Sequence, residues 1–218
     1  MSVVAVANYG LGNVKSIVRA VEKVGGTAVL SDDHEFILNA DKLILPGVGA
    51  FEDGMTGLRS KGLDLVIKLF VKSGKPVLGI CLGMQMLLNE SDEFGIHQGL
   101  GLISGRVVRI PSGDVSGFKI RKIPHIGWNT LFLYEQGFSF KSTSSILPKK
   151  VIGQSFYFVH SYMAVPEYKE NAIAYCVYEE QNICAVIQKD NVYGCQFHPE
   201  KSGVVGLTVL KTFVNMPS

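Results

Sequence analysis

The sequence predicts an α/β fold with a central, mostly parallel sheet flanked by helices and a β-rich antiparallel extension. Two observations carry this prediction. In the first half of the chain, short apolar runs alternate with segments whose apolar residues recur at helical spacing, which is typical of parallel strands joined by crossover helices. From about Leu102 onward, short strand-like runs are separated by Pro, Gly and Asn turns, which is typical of antiparallel strands.

Strands and helices alternate through the first 89 residues. Val3–Ala7 is an apolar run that stops before Gly10, and shorter runs of the same kind predict strands at residues 27–30, 43–45 and 76–80. Helical spacing predicts one helix from Val14 to the glycines at 25–26 and another from Leu63 to residues 73–74. Strong helix formers predict a third helix over residues 82–89.

Strands dominate the second half of the chain. Five apolar runs predict strands there, at residues 107–108, 156–159, 172–177, 183–187 and 192–197. A last helix is predicted over Gly203–Val214. Because no linker or change of composition separates the two halves, we expect residues 1–218 to form a single domain.

Composition and charge narrow the class of function. Hydrophobic residues make up 47% of the chain and charged residues 18%, as in a globular protein. The net charge of +2 is too small for a nucleic-acid or anionic-membrane surface, so we expect neither partner. The start of the chain lacks a basic signal-peptide region, and the four cysteines form no C-x-x-C pair. We therefore expect a cytoplasmic protein with reduced thiols and no metal or cofactor.

Residues 79–83, with the sequence GICLG, are a cysteine version of the G-x-S-x-G nucleophile elbow. The turn from strand to helix would crowd its neighbours, so glycines on either side of Cys81 fit this interpretation. The start of a helix also favours a thiolate. The pentapeptide alone fits a buried core cysteine equally well.

A thiol nucleophile needs a base, and His198 and Glu200 supply an imidazole and a carboxylate on one face of an extended segment. A surface turn is the alternative interpretation of these residues. The elbow would offer the Leu82 N–H to an oxyanion, and residues 46–49 (PGVG) could supply a second N–H. A dinucleotide site at residues 10–12 is disfavoured, because Lys15 stands where the fingerprint needs glycine.

Several motifs together resemble a known family. Residues 45–49 (LPGVG), 79–85 (GICLGMQ) and 196–200 (QFHPE) resemble class I glutamine amidotransferases. Within that class, four stretches resemble the glutaminase subunits of imidazole glycerol phosphate synthase: residues 8–13 (NYGLGN), 124–129 (PHIGWN), 157–162 (YFVHSY) and 198–203 (HPEKSG). The resemblance spans Val3 to about Val214 and implies the flavodoxin-like fold of the class.

The resemblance implies hydrolysis of L-glutamine to glutamate and ammonia by Cys81, His198 and Glu200. The ammonia would pass to a (β/α)8-barrel cyclase, bound as a heterodimer, that makes imidazole glycerol phosphate and AICAR in histidine biosynthesis. Two alternatives stay open. A related glutaminase could feed an enzyme that amidates a surface-polysaccharide sugar, or the chain could be a non-catalytic interaction subunit, which the intact triad makes improbable.

The resemblance also assigns roles around the triad. The expected oxyanion hole consists of Val48 and Leu82. The expected substrate-binding residues are Gly49, Gln85, Glu93, Ser161 and Tyr162, and the expected partner interface is Asn13, Trp128, Asn129, Tyr157 and Lys201. Each has a plain structural alternative, such as a solvated helix face or a core aromatic. His125 and His160 are interpreted as structural histidines, and residues 112–118 and 138–150 receive no role.

Overall fold

The computed structural model describes residues 2–115, 119–134 and 145–217, with only the backbone of residues 114–115 and 119–120. Parts of the two stretches without an assigned role, residues 116–118 and 138–144, lie outside the described residues. The helices are α1 (Val14–Lys23), α2 (His34–Asn39), α3 (Phe51–Ser60), α4 (Leu63–Lys72), α5 (Leu82–Met86) and α6 (Gly203–Val214). Short 3₁₀ turns occupy Lys149–Val151, Lys169–Asn171 and Pro199–Lys201.

The strands are numbered along the chain. Those before the first gap in the described residues are β1 (Val3–Ala7), β2 (Thr27–Ser31), β3 (Lys42–Leu45), β4 (Val77–Ile80), β5 (Glu90–Ser91), β6 (His97–Gln98), β7 (Gly105–Arg109) and β8 (Asp114–Val115). Those after it are β9 (Lys119–Ile120), β10 (His125–Leu133), β11 (Ser155–His160), β12 (Tyr162–Pro166), β13 (Ala172–Tyr178), β14 (Gln181–Lys189) and β15 (Val192–Cys195).

Five neighbouring strands form the parallel part of the main sheet, in the order β2-β1-β3-β4-β15. The registers place Leu45 beside Gly79, and Ile80 beside Cys195. The carboxyl ends of β3, β4 and β15 therefore meet at one edge, where ligands bind in open α/β sheets. The expected mostly parallel sheet with a flavodoxin-like strand order is confirmed in this part of the molecule.

The antiparallel extension begins at β14, which pairs with β15, β13 and β12. β10 joins this extension through β13 and forms a ladder with β11, in which Trp128 faces Tyr157 and His125 faces His160. The expected β-rich extension is confirmed. It brings β11 and β12, and the turn between them, close to the end of β4.

Helices cover both faces of the parallel strands and enclose two apolar clusters. α1 and α6 pack together on one face, where Ile17, Val21 and Phe213 are buried. α2 to α5 cover the other face, where Phe51 and Phe70 are fully buried. Among the described residues, no helix has the length and apolar character that crossing a membrane requires.

One predicted helix is shorter than expected. The helix expected over residues 82–89 ends at Met86, because the last carbonyls are used by another segment. Leu100 N donates to Met86 O (2.9 Å), Leu102 N to Leu87 O (2.9 Å) and Gly101 N to Leu88 O (3.0 Å). These bonds replace the i to i+4 bonds that would extend the helix. The elements that were not predicted are α2, α3, the short strands β5, β6, β8 and β9, and the longer strands β10 and β12.

Candidate active site

Cys81 lies at the turn between β4 and α5 in a backbone conformation that is rare for a side-chain-bearing residue, with φ 54° and ψ −111°. A Cβ on Gly79 would lie 2.6 Å from Gly83 O and 2.7 Å from Met84 N, and one on Gly83 would collide with Leu45 O. The glycines on either side of Cys81 are thus needed for close backbone packing, as the sequence predicted. This geometry is that of a nucleophile elbow.

His198 follows β15, the strand that pairs with β4, so it reaches the same edge of the sheet as Cys81. Its Nδ1 lies 2.8 Å from Oε1 of Glu200, and the two side chains are 2% and 0% exposed. Among the described residues, His198 Nε2 has no nitrogen or oxygen partner. This nitrogen can therefore take the proton of the Cys81 thiol.

The protonation of His198 depends on these neighbours. Burial by itself lowers the pKa of the imidazole, but interactions with Cys81 and Glu200 outweigh burial and raise the pKa to about 9. His198 is therefore largely an imidazolium at neutral pH.

A cavity of about 350 Å³ opens onto the sulfur. It brings together most of the residues that the sequence assigned to the site, namely Cys81, His198, Val48, Leu82, Gly49, Gln85, Glu93, Ser161 and Tyr162. Glu200 lies behind His198 and does not line the cavity. The volume is within the range of small-molecule sites.

The segment after β3 packs directly on the start of α5. A Cβ on Gly47 would lie 2.7 Å from both Gly83 N and Leu82 Cβ, so only glycine fits at this contact. Gly49 has φ 100°, and Val48 is partly exposed beside the cavity. The two expected oxyanion residues, Val48 and Leu82, therefore line the same cavity as Cys81.

The expected substrate-binding side chains are held by several elements. Gln85 Nε2 donates to Tyr162 O (3.0 Å) and to Gln196 Oε1 (3.0 Å), and Gln196 Nε2 lies 3.7 Å from the Cys81 sulfur. Glu93 Oε2 accepts from Phe51 N at the start of α3 (2.7 Å). Burial raises the pKa of Glu93, although the bond from Phe51 N and nearby His97 oppose the shift.

Three of the expected interface residues form one surface. Trp128 and Tyr157 pair across β10 and β11 with their ring centroids 5.9 Å apart, and Lys201 Nζ lies 5.9 Å from the Tyr157 ring centre. Trp128 is 57% exposed, which is unusual for a tryptophan. Val159, two residues beyond Tyr157 on the same strand, lines the cavity. This aromatic surface therefore lies beside the mouth of the site.

The other two expected interface residues make internal bonds. Asn13 precedes α1, and its Oδ1 accepts from Ser16 Oγ (3.0 Å). The Asn129 side chain donates to Val177 O (2.7 Å), and its Oδ1 lies 2.7 Å from His125 Nε2. Because neighbouring residues of a strand point to opposite faces, Asn129 faces away from Trp128. Asn13 is on the same side of the molecule as Lys201, since α1 packs on Pro199–Lys201.

Sequence reasoning assigned no role in the site to five residues that lie in it or beside it: Tyr9, Pro124, Val159, His160 and Gln196. His160 lines the cavity and is bonded to His125 Nδ1 (3.0 Å) and Tyr162 O (2.8 Å). Burial, with nearby His125, lowers the pKa of His160 to about 3. Its position next to Ser161 was the signal that could have identified it.

Comparison with known proteins agrees with this geometry. A family model described as "Glutamine amidotransferase class-I" matches residues 5–216. The chain belongs to this family. A protein of Legionella pneumophila (strain Lens) named "Imidazole glycerol phosphate synthase subunit HisH 1" is 50% identical to this glutamine amidotransferase over 216 residues, 99% of this chain and 100% of the relative. A Geobacter sulfurreducens protein, "Imidazole glycerol phosphate synthase subunit HisH", is 43% identical over 99% of this chain and 100% of its own.

Solved structures agree on the fold of this glutamine amidotransferase. A chain of "PurLQS from Thermotoga maritima" superposes with a TM-score of 0.73 at 20% identity, covering 99% of both chains. A "Crystal structure of glutamine amidotransferase" superposes with a TM-score of 0.65 at 19% identity, covering 94% of both chains. The expected class I glutamine amidotransferase fold is thus confirmed.

Proposed function

We propose that this chain is the glutaminase subunit of imidazole glycerol phosphate synthase and acts in histidine biosynthesis. The observation that carries the proposal is the nucleophile elbow with Cys81 facing a cavity beside the His198–Glu200 pair. The full-length relatives that bear the name of this enzyme's subunit support the same pathway. Glutamine is the substrate, and ammonia is the product that the synthase uses.

In the first half-reaction, the Cys81 thiolate attacks the carboxamide carbon of glutamine. The negative charge that develops on the carboxamide oxygen is stabilised by the N–H groups of Val48 and Leu82, two preorganised donors of an oxyanion hole. The C–N bond then breaks, His198 gives its proton to the leaving nitrogen, and ammonia departs. A glutamyl thioester remains on Cys81.

In the second half-reaction, neutral His198 accepts a proton from water as the water oxygen attacks the thioester carbon. The C–S bond breaks, glutamate leaves, and Cys81 regains a thiolate beside the protonated imidazole. The net change is glutamine plus water to glutamate plus ammonia. Glu200 bonds His198 Nδ1 and orients Nε2 toward the sulfur through both steps.

Gly49, Gln85, Glu93, Ser161 and Tyr162 hold the amino acid part of glutamine, because they line the cavity around Cys81. These residues offer backbone groups, the Gln85 amide and the Glu93 carboxylate, which can bind the ammonium and carboxylate groups of an amino acid. Glu93 supplies a negative charge for the substrate ammonium group. A partly buried carboxylate of this kind is stabilised when a cation binds beside it.

The partner is a (β/α)8-barrel cyclase that binds as a heterodimer on the surface formed by Trp128, Tyr157 and Lys201. Asn13 lies on the same side of the molecule, whereas Asn129 supports this surface from the opposite face of β10 through its bonds to His125 and Val177. An exposed tryptophan packed on a tyrosine, with a lysine at its edge, is typical of the residues that dominate binding energy at interfaces. The surface adjoins the cavity, so ammonia has a short path to the cyclase. The heterodimer works in the cytoplasm and needs no metal or cofactor in this subunit.

Replacing the nucleophile tests the proposal. Cys81→Ala in complex with the barrel subunit of the same source should lose glutamine-dependent formation of imidazole glycerol phosphate, while added ammonium still supports it. Cys176→Ala, at a buried cysteine outside the cavity, is the matched control and should keep both activities. If the wild-type complex releases glutamate but forms no imidazole product, the chain serves another acceptor, such as a sugar.

A further inference from the structure

The geometry points to Tyr9 as a positioning residue for the oxyanion hole, an inference that rests on the proposed glutaminase function. Tyr9 lies two residues after the end of β1 and is 3% exposed. Its hydroxyl donates to Pro46 O, two residues before Val48. The hydrogen bond thus fixes the peptide that precedes the Val48 N–H.

Tyr9 lies where three elements of the site converge. A Cβ on Gly47 would lie 2.9 Å from the Tyr9 hydroxyl and 2.7 Å from both Leu82 Cβ and Gly83 N. The hydroxyl is therefore in contact with the segment that carries one proposed donor, and that segment rests on the helix start that carries the other. Moving the Tyr9 ring would change the spacing of both N–H groups.

The backbone of Tyr9 is held independently of its hydroxyl. A Cβ on Gly57 of α3 would lie 2.6 Å from Tyr9 O, so this helix packs directly on the Tyr9 peptide. Lys61 Nζ donates to Asn8 O (2.9 Å) and bonds Asp32 (2.8 Å). Because these contacts hold the backbone of Tyr9, loss of the hydroxyl should leave the ring in place.

The hydroxyl stays protonated under working conditions. Burial, reinforced by the charge of Cys81, raises the pKa of Tyr9 well above its usual value. The group is therefore a permanent donor to Pro46 O. Without it, a buried carbonyl loses its partner and the segment after β3 can rotate away from the position that the hole requires.

The same residue connects the hole to the expected docking surface. Tyr9 lies in the loop that ends at Asn13, and a Cβ on Gly12 of this loop would lie 3.3 Å from Pro46 Cβ. The loop thus touches the oxyanion segment at two places, through the Tyr9 hydroxyl and through Gly12. A barrel subunit that contacts Asn13 would therefore lie next to the groups that orient the Val48 N–H.

The test is Tyr9→Phe, which removes a single oxygen atom, assayed in complex with the barrel subunit. We expect kcat for glutamate release to fall at least tenfold but by less than the ~10²–10³ that outright loss of a hole donor costs, with KM changed less than twofold. Ammonium-dependent cyclase activity should be unchanged. Tyr178→Phe, which also removes a hydroxyl bonded to a backbone carbonyl (Lys122 O, 2.7 Å), is the matched control and should keep wild-type kcat.

A second measurement separates the hole from the nucleophile. Alkylation of Cys81 by iodoacetamide forms an S–C bond and expels iodide without an oxyanion, so its rate should be the same in Tyr9→Phe and wild type. Wild-type kcat in Tyr9→Phe would overturn the inference, and so would an equal loss of alkylation and turnover, because that marks a general disturbance of the elbow. If the wild-type complex releases no glutamate, the proposed function fails instead.

Discussion

Gly79→Ala tests whether the elbow depends on close backbone packing. The added Cβ would lie 2.6 Å from Gly83 O, 2.7 Å from Gly83 C and 2.7 Å from Met84 N. All three atoms belong to the backbone, so no side chain can rotate out of the way. To reach an ordinary contact of 3.4 Å, the start of α5 must move by roughly 0.7–0.8 Å, and such overpacking costs about 1–3 kcal/mol.

The displacement acts on catalysis as well as on stability. A misplacement of about 1 Å can cost about 10²-fold in rate, so we expect kcat for glutamate release to fall about tenfold or more. A destabilisation of about 2 kcal/mol should lower Tm by about 4–8 °C in a chain of this size.

The assays are glutamate release by the complex and a thermal scan of the isolated chain. Gly113→Ala is the matched control, because a Cβ there meets no atom within 4 Å. Ammonium-dependent activity should survive in both variants, since the cyclase site is not touched. A Gly79→Ala protein with the Tm and kcat of Gly113→Ala would refute the packing argument.

Two further predictions concern acid stability and docking. Burial lowers the pKa of His160 to about 3, whereas the pKa is about 6.5 in the unfolded chain. The contribution of neutral His160 to stability is therefore complete above pH 6.5 and is lost as the pH falls toward 3. The free energy of unfolding measured with urea should decline by up to about 1.4 kcal/mol per pH unit because of this proton. His160→Gln should show a smaller slope, and equal slopes would contradict the assignment. Trp128→Ala should weaken binding of the barrel subunit about 30-fold, as expected for a loss of about 2 kcal/mol, whereas Leu65→Ala, also exposed but on α4, should bind normally in calorimetry. Unchanged affinity in Trp128→Ala would remove this surface as the docking site.

The elements that the sequence predicted well are those in which apolar residues form a clear run or a regularly spaced stripe within the element. Val3–Ala7 and Gly203–Val214 have the predicted bounds, because each buries a continuous run or stripe of apolar residues. α3 was missed because two of its ten residues are glycines, which weaken a helical pattern. Both are needed for tertiary contact: a Cβ on Gly54 would lie 2.6 Å from Met86 Sδ, and one on Gly57 2.6 Å from Tyr9 O.

The site was predictable where a motif is local and unpredictable where it depends on contact between distant segments. The spacing around Cys81, and His198 with Glu200 two residues later, can be recognised in the sequence alone. The bond from Tyr9 to Pro46 O joins residues 37 positions apart, and the one from Gln85 to Gln196 joins residues 111 apart. Nothing in the periodicity of either segment indicates such a pairing.

The position of β15 makes catalytic competence a late event in folding. This strand lies between β4 and β14, so Val192 pairs with Val77, although the two residues are separated by 192 − 77 = 115 positions. Non-local parallel pairing of this kind forms slowly. Until β15 inserts, β4 is paired on one side only, by β3, and the proposed base His198 is not held beside Cys81. Under the proposed mechanism, a growing chain therefore releases no ammonia before β15 is in the sheet, and incomplete chains hydrolyse no glutamine.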